Sequence, residues 1–173
     1  TKTDRHINTS TKRKLLRAYT LLYLTGCRVS EIIDFKVQDI ATILQKGRIS
    51  LSNNTKTKKP RILFFDDTCE SPLADLNCLD CDDDYLFYAN NKPYPMHKSR
   101  LTKLLNDHLS KILGELYTTH SFRAGYITRI VEETGNVKLA SDLVGHSSLK
   151  TTMDYMHSST EQKQNAINKV FGK

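Results

Sequence analysis

The spacing of apolar residues changes from a helical to a strand period near Arg48, and that change constrains the fold more than any other feature. Polar and apolar side chains alternate in Arg48–Ser52 and, less regularly, in Arg61–Phe64, which is typical of short β-strands. Between them, Asn53–Pro60 is basic and rich in turn-forming residues, so we predict a β-hairpin. Most other apolar residues recur at helical spacing. The sequence therefore predicts a mainly α fold with a small antiparallel β-sheet, an α+β architecture.

Two helices are predicted before the hairpin. The first begins at a cap formed by Ser10 or Thr11 and ends at Gly26, because glycine readily closes a helix. Its apolar face is expected to comprise Leu15, Leu16, Tyr19, Leu22 and Tyr23. A second, short helix is expected near Ser30. Its inward side chains are expected to be Ile32, Ile33 and Phe35.

The second half of the chain is predicted to be largely helical. We expect an acidic, irregular stretch from Asp66 to Asp84 and a third short strand over Tyr85–Tyr88. From about His97 the pattern is helical almost to the end of the chain. The breaks between these helices are expected near Gly114, Thr118–Thr119, Gly135–Asn136, Gly145 and His157–Thr160.

Size and charge narrow the class of protein. With 173 residues, 38% of them hydrophobic, the chain is long enough for one domain with a real core. The net charge of +7 favours a polyanionic partner such as nucleic acid, although a merely solvated basic surface would give the same value. No stretch approaches the roughly 20 apolar residues of a membrane span, and the N-terminal residues lack a signal-peptide core. We expect an intracellular protein that is not secreted and has no membrane partner.

The four cysteines make a weak case for a metal site. Cys78 and Cys81 form a single C-x-x-C motif, to which Cys69 and the run Asp80–Asp84 could add ligands. Consecutive aspartates diverge, however, so a solvated acidic loop is the better interpretation, and a two-metal nuclease site is not indicated. A chain of this size also needs no disulfide scaffold. We expect free thiols, including Cys27, and no bound metal.

Four short segments each hold a polar side chain in an unusual setting. Arg28 lies between two apolar helical patterns, and His146 lies in a turn between two predicted helices. His120 and Arg123 are three residues apart at the start of a helix, so both can point at one target. Tyr155 follows His146 by nine positions. Alone, each has an ordinary explanation, such as an ion pair of Arg28 with Glu31 one helical turn away, a helix cap or a core aromatic ring. Their order and spacing together indicate a functional site.

This combination resembles the tyrosine recombinases, also called phage integrases. Arg28 lies in GCRVSEI, which is similar to the family's first-arginine motif, and His120 and Arg123 lie in THSFRAGY, similar to its second box. His146 lies in LVGHSS, which is among the most recognisable strings of the family. Tyr155 lies in TTMDYMH, where the family has its nucleophile. The resemblance implies the catalytic-domain fold of these enzymes.

The resemblance extends from about Leu15 to Phe171 and adds a lysine to the candidate site. The family takes a catalytic lysine from the turn of a β-hairpin, and Lys56 in TKTKKPR is the best match. Lys58 and Lys59 are close enough to remain alternatives. The six candidate catalytic residues are therefore Arg28, Lys56, His120, Arg123, His146 and Tyr155.

The implied activity is cleavage and rejoining of DNA by a site-specific recombinase or integrase. Tyr155 would attack a DNA phosphate to give a 3′-phosphotyrosine, which keeps the energy of the broken bond, so rejoining needs no ATP. His120 would accept the phenolic proton, and Lys56 would protonate the leaving 5′-oxygen. Neither a metal nor another cofactor is implied, and activity in EDTA is expected.

Two arginines suit the charge that develops when a phosphodiester is cleaved. The non-bridging oxygens become more negative in a five-coordinate transition state, and a guanidinium can bind them through a planar fork that lysine lacks. Arg28 and Arg123 are the candidates for this role. Charge placed in advance at that point is usually a large catalytic contribution. His146 is expected to hydrogen-bond a phosphate oxygen.

The implied partner is double-stranded DNA, bound by a homo-oligomer of two to four chains that are monomeric when free. Backbone contacts are expected from some of the basic residues Lys12, Arg13, Lys14, Lys36, Lys46, Arg48, Lys58, Lys59, Arg61, Lys98, Arg100 and Lys103. Residues 160–171 are predicted to form a helix with one apolar side. That side packs either on its own domain or, as in the family, on a neighbouring protomer.

The resemblance also divides the chain into domains. Residues 1–14 are expected to be a linker or N-terminal extension, and residues 15–173 the catalytic domain. We expect no counterpart of the family's N-terminal core-binding domain. Two other functions fit the same residues: a type IB topoisomerase-like enzyme that nicks and closes one duplex, and a DNA-binding module that has lost catalysis. The complete set of six candidate residues counts against the second.

Overall fold

The computed structural model describes residues 8–51, 60–77, 85–88, 94–155 and 160–171. Its elements are α1 (Thr9–Thr25), α2 (Val29–Ile32), α3 (Val37–Lys46), β1 (Arg48–Leu51), β2 (Arg61–Phe64), α4 (Glu70–Asn77), α5 (Lys98–Leu113), α6 (Thr119–Thr134), α7 (Val137–Val144), α8 (Leu149–Met153) and α9 (Thr160–Phe171). The predicted mainly α fold with a small antiparallel sheet is confirmed. Among the described helices, none is both long and apolar enough to cross a membrane.

The predicted hairpin is confirmed. β1 and β2 pair antiparallel, with Leu51 opposite Arg61 at the end of the ladder that faces the turn. Along β2, the side chains of Arg61 and Leu63 are buried and alternate with exposed ones. Residues 52–59, which connect the strands, lie outside the described residues.

Two clusters of buried apolar side chains hold the helices together. The larger cluster joins α1–α5 and the sheet, and its fully buried members include Leu21, Ile32, Ile40, Leu73 and Leu101. The smaller cluster joins α6 and α7 and consists of Ile127, Val131, Ala140 and Val144. Each such aliphatic side chain contributes roughly 1.5–3 kcal/mol when it leaves water. α6 packs against α1 and α5 on one side and against α7 on the other, so it joins the two parts of the fold.

The start of α1 differs from the prediction. Its cap is Asn8, whose Oδ1 atom accepts a hydrogen bond from the Thr11 backbone N at 2.8 Å, rather than Ser10 or Thr11. Asparagine caps a helix as well as serine does, so the pattern allowed either start. Residues 9–14 consequently belong to α1, and the predicted boundary after residue 14 falls inside this helix.

The predicted apolar face of α1 is wrong at Leu16 and Tyr23, which are both exposed. The buried face instead includes Arg17, whose Nη1 donates to the Leu86 carbonyl oxygen at 2.9 Å. An arginine can be buried when a carbonyl oxygen accepts its hydrogen bond. A hydrophobic pattern counts every arginine as polar, so it could not place Arg17 on the buried face of α1.

The stretch from Asp66 to Asp84 is not irregular throughout. A 3-10 turn, Asp67–Cys69, leads into α4, which buries Leu73 and Leu76 in the larger cluster. The Asp66 carboxylate caps the turn by accepting a hydrogen bond from the Thr68 backbone N at 3.0 Å. The buried face of a two-turn helix needs only two apolar residues. Two such residues among acidic ones give a weak helical pattern, so the sequence did not predict α4.

The predicted third strand over Tyr85–Tyr88 is also wrong. Its two tyrosines form only isolated bridges, with Lys36 and Pro95, and Leu86 and Phe87 between them are both fully buried. Residues 86 and 87 form a turn that buries both side chains, whereas a strand with one solvent face would expose one of them.

The predicted helix breaks agree with the structure wherever it is described. Thr118 caps α6 through its hydroxyl group, and Asn136 caps α7 through its side-chain amide oxygen. Three of these breaks lie at glycines, since α5, α6 and α7 end at Gly114, Gly135 and Gly145. The break at His157–Thr160 falls mostly on residues outside the described ranges, and α9 begins at Thr160 as predicted.

Candidate active site

Arg123 lies at the centre of the candidate site, where the end of α1, the first turns of α6 and the end of α7 meet. Its side chain is 2% exposed. Nη1 donates to the Gly26 carbonyl oxygen at 2.8 Å, Nη2 to the Val144 carbonyl oxygen at 2.6 Å, and Nε to His146 Nε2 at 3.3 Å. The guanidinium is thus fixed in one orientation before any ligand binds.

Gly26 is needed at this point for two reasons. Its φ of 60° is a left-handed conformation that favours glycine, and a Cβ atom there would lie 2.7 Å from the Tyr126 ring. The close approach of α1 to α6 places the Gly26 carbonyl within reach of Arg123.

Burial lowers the pKa of the Arg123 guanidinium to about 10, and the neighbouring positive charge of Arg28 contributes to the same shift. The negative charge of Glu31 opposes it. Arg123 therefore keeps its charge at neutral pH, although it is buried among other cations.

Glu31 is the buried carboxylate around which the arginines gather. Its position as the third residue of α2 lets it accept a hydrogen bond from the Arg28 backbone N at 2.6 Å, as in a capping box. The Arg28–Glu31 ion pair that the spacing suggested does form, at 3.3 Å, and Glu31 also pairs with Arg61 at 2.9 Å and with Arg123 at 3.9 Å. One carboxylate shared by three guanidiniums leaves a net positive charge for an anionic ligand.

His146 follows Gly145 in the turn between α7 and α8, as predicted. Its Nδ1 lies 2.8 Å from the Thr152 hydroxyl, and its Nε2 accepts from Arg123. This network assigns the proton of the neutral ring to Nδ1. Burial, followed by the positive charges of Arg123, Arg28 and Arg61, lowers the pKa of His146 to about 4. The imidazole is therefore neutral at pH 7.

Tyr155 lies directly beside this histidine. The two rings stack with 6.1 Å between their centroids and 17° between their planes. The tyrosine is half-buried, packs against the smaller apolar cluster, and donates its backbone N–H to the Thr152 carbonyl oxygen at 3.2 Å. The nucleophile proposed from the sequence is thus held near Arg123 through His146.

An open pocket faces this cluster from the side of α5. Arg28, His120 and Arg123 line it, together with Lys98 and Thr102 from successive turns of α5. The Arg28 side chain is 26% exposed, so part of its guanidinium is accessible to a ligand. From the sequence, Lys98 could be named only as one of many basic residues, not as part of the site. The helical spacing of Lys98 and Thr102 gave no sign that they face the site.

The structure brings five of the six predicted site residues to one place. Arg28, Arg123, His146 and Tyr155 are linked by direct contacts or through Glu31, and His120 lies on the pocket wall near the start of α6, as predicted. Lys56 and its alternatives Lys58 and Lys59 lie outside the described residues.

Arg61, one of the basic residues considered for contact with the DNA backbone, is not at the surface. The residue is buried, and Nη2 contacts both Glu31 and Cys27 while Nη1 donates to the Leu143 carbonyl oxygen at 2.6 Å. Strand alternation was the available signal, since Arg61 shares a parity with the buried Leu63. Neither Arg61 nor Glu31 was recognised from the sequence as part of the site.

The cysteines contribute no metal cluster within the described residues. Cys27 and Cys69 are free thiols, and burial raises the pKa of Cys27 to about 11. The described ranges contain no group of three histidine, cysteine or acidic side chains that could hold a metal ion. Cys78 and Cys81 lie outside those ranges.

The environment of His146 predicts a loss of stability in acid. The unfolded chain takes up the proton near pH 6.5, whereas the folded protein resists protonation until about pH 4. Within that window the unfolded state binds more protons, so the free energy of unfolding should fall as the pH is lowered. Urea denaturation of wild type and of the His146→Gln variant across this range measures the effect. The variant should lose less stability, and equal slopes would contradict the prediction.

Comparison with known proteins agrees with this geometry. The model of the phage integrase family matches residues 3–162. The chain therefore belongs to the phage integrase family, the tyrosine recombinases, and the resemblance seen in its motifs is confirmed.

The relatives cover most of this chain. A tyrosine recombinase of Pseudothermotoga lettingae is 29% identical over 153 residues, which span 87% of this chain and 52% of the relative. The tyrosine recombinase XerC of Staphylococcus aureus is 29% identical over 157 residues, which span 82% of this chain and 48% of the relative. The chain thus spans about half the length of the curated relatives it matches.

Solved structures share the fold. The crystal structure of XerA recombinase superposes with a TM-score of 0.69 at 24% identity, covering 96% of this chain and 65% of that one. The XerH site-specific recombinase bound to its difH substrate gives a TM-score of 0.63 at 19% identity, covering 97% of this chain and 50% of that one. These similarities confirm the tyrosine recombinase catalytic-domain fold.

Proposed function

We propose that this chain is the catalytic domain of a site-specific DNA recombinase that cleaves and rejoins DNA through a 3′-phosphotyrosine. The observation that carries the proposal is the contact chain from Arg123 to His146 to Tyr155, beside a pocket lined by Arg28 and His120. Family membership supports the same activity. These residues come from segments far apart in sequence, and no packing requirement of an apolar core would gather them.

The two arginines would hold the scissile phosphate. Arg123 gives three of the five N–H groups of a guanidinium to Gly26, Val144 and His146, which leaves two for non-bridging oxygens. Arg28 would approach from the exposed side of the pocket. Because the guanidiniums are already oriented, they need no reorganisation when negative charge develops in the transition state.

The proton transfers fall to the remaining residues. The Tyr155 oxygen attacks phosphorus and its proton passes to His120, while the bond to the 5′-oxygen breaks and that oxygen takes a proton from Lys56 or a neighbouring turn lysine. Rejoining reverses each transfer, so neither ATP nor a metal is required.

His146 would change its protonation when DNA binds. In the free protein its Nε2 is an acceptor for Arg123 and cannot donate to a phosphate. Burial is the largest cause of its lowered pKa, and the cationic neighbours add to it. The negative charge of a bound phosphate would oppose those neighbours and so favour the protonated ring. A protonated Nε2 would then donate to a phosphate oxygen.

Duplex DNA is the proposed partner. The net charge of +7 and the position of Lys98 on the pocket wall favour a phosphate backbone. XerH was solved on its difH substrate, and λ integrase as a dimer on a COC′ core site. By analogy with those proteins, this chain would act on DNA as a dimer or tetramer, inside the cell.

The apolar side of α9 favours contact with a neighbouring protomer. Ile167, Val170 and Phe171 are 54%, 70% and 75% exposed, so most of their surface is not covered by their own domain. Deleting residues 160–173 should leave the affinity of one protomer for a half-site unchanged. It should weaken binding of the second protomer about 10-fold or more, because burying one such side chain is worth roughly 1.5–3 kcal/mol.

Gel-shift titration on full and half sites measures that cooperativity. The variant Lys163→Ser, which changes an exposed polar position of the same helix, serves as the control and should bind like wild type. Unchanged cooperativity after the deletion would remove the argument for contact through α9.

A suicide substrate tests the proposed function as a whole. A nick near the scissile phosphate lets the released strand diffuse away, so the phosphotyrosine accumulates as a band that resists detergent. We expect this band with cognate sites in EDTA. Strict dependence on magnesium would contradict the mechanism, relaxation of plasmids without two-site exchange would favour a topoisomerase, and DNA binding without a covalent band would indicate a module that has lost catalysis.

A further inference from the structure

The Arg61 guanidinium occupies a position that the proposed chemistry does not use. It is buried behind the pocket and does not line it. Its Nη2 pairs with Glu31 at 2.9 Å and contacts Cys27 Sγ at 3.0 Å, while its Nη1 donates to the Leu143 carbonyl oxygen at 2.6 Å. A charge buried this deeply is stable only with such partners, so each contact is structurally significant.

These contacts connect two segments of the candidate site. Glu31 holds the backbone and side chain of Arg28, and Leu143 lies in the last turn of α7, three residues before His146. The Arg61 side chain also packs below Gly145, where an added Cβ would lie 3.1 Å from its Cδ. Arg61 thus sets the distance between the Arg28 segment and the His146 turn.

The shared carboxylate gives Arg61 a second effect. Glu31 Oε2 is 2.9 Å from Arg61 but 3.9 Å from Arg123. Without Arg61, the same carboxylate would have only Arg28 and Arg123 as cationic partners among the described residues. It would then compete with a bound phosphate for both guanidiniums.

We infer that Arg61 is a positioning residue that pairs with Glu31 more closely than Arg28 or Arg123 does and thereby keeps these two available for the scissile phosphate. The inference rests on the proposed function. It predicts an effect on the chemical step rather than on DNA affinity, because Arg61 does not line the pocket.

The test compares four proteins in single-turnover cleavage of a suicide substrate: wild type, Arg61→Met, Glu31→Gln and the double variant. Arg61→Met should cleave about 10- to 100-fold more slowly, a smaller loss than the direct removal of a group that stabilises the transition state. Its affinity for the site should change by less than about threefold. In the Glu31→Gln background, Arg61→Met should have little further effect, because the competing charge is gone.

Arg129→Met is the matched control, since Arg129 is an exposed arginine on α6 that does not line the pocket. It removes the same charge and should leave the cleavage rate unchanged. If Arg61→Met does not fold, as circular dichroism would reveal, the double variant against Glu31→Gln still decides the question.

Three results would overturn the inference while the proposed function stands. The first is a cleavage rate of Arg61→Met equal to that of wild type. The second is a double variant whose rate is reduced by the product of the two single reductions. The third is a loss of DNA affinity in Arg61→Met large enough to explain its whole loss of rate. Absence of a covalent band with the wild-type protein would instead contradict the proposed function.

Discussion

Replacing Tyr155 with phenylalanine should abolish the covalent protein–DNA band while DNA binding is retained. The phenol oxygen is the proposed nucleophile, and phenylalanine has no oxygen at that position to form the ester. Phenylalanine keeps the ring that stacks on His146 and packs against the smaller apolar cluster, so the fold should be preserved. Denaturing gels of a suicide-substrate reaction measure the band, and gel shifts under native conditions measure binding.

Tyr23→Phe is the control for this change. Tyr23 is exposed on α1 and accepts a long hydrogen bond, 3.3 Å, from Arg129, away from the pocket. Its band should equal that of wild type. A band that survives in Tyr155→Phe would mean that another side chain is the nucleophile, and peptide mapping of the adduct would identify it.

Replacing Arg123 with lysine should slow strand cleavage by about 10²–10³-fold, the cost of removing one group that stabilises the transition state. Lysine lacks the planar fork and cannot serve the carbonyls of Gly26 and Val144, the ring of His146 and a phosphate together. At least one buried carbonyl then loses its donor, so we also expect a stability loss of about 1–3 kcal/mol. Single-turnover kinetics and urea denaturation measure the two effects.

Arg129→Lys provides the matched control on the same helix, because Arg129 is exposed and its one described partner is a surface phenol. Its cleavage rate and stability should both stay close to those of wild type. If Arg123→Lys cleaved within about threefold of wild type, the fork geometry would not be what catalysis requires.

Much of the site could be predicted because its residues lie in short local patterns. His120 and Arg123 share a helix start, and His146 follows a glycine that ends α7, so their placement depends on local structure that a sequence encodes well. The hairpin was predictable for the same reason, since strand alternation and a turn are local signals.

The predictions that were wrong concern residues whose burial depends on contacts distant in sequence. The buried guanidiniums of Arg17 and Arg61 have partners distant in sequence, among them the carbonyls of Leu86 and Leu143, and no local pattern contains that information. The helix α4 was missed because two apolar residues suffice once the larger cluster surrounds them. Glu31 was considered only as a partner of Arg28, whereas the fold makes it a partner of three arginines.

The acceptors that hold the two buried arginines of the site are peptide carbonyls as well as side chains. Leu143 and Val144 present theirs at the end of α7, where the helix dipole is negative, and Gly26 presents its own just after α1. A point mutation can replace the side chains at 143 and 144 but cannot delete the oxygen atoms. Substitutions at positions 143 and 144 should therefore leave Arg61 and Arg123 in place, provided that α7 still ends at the same point.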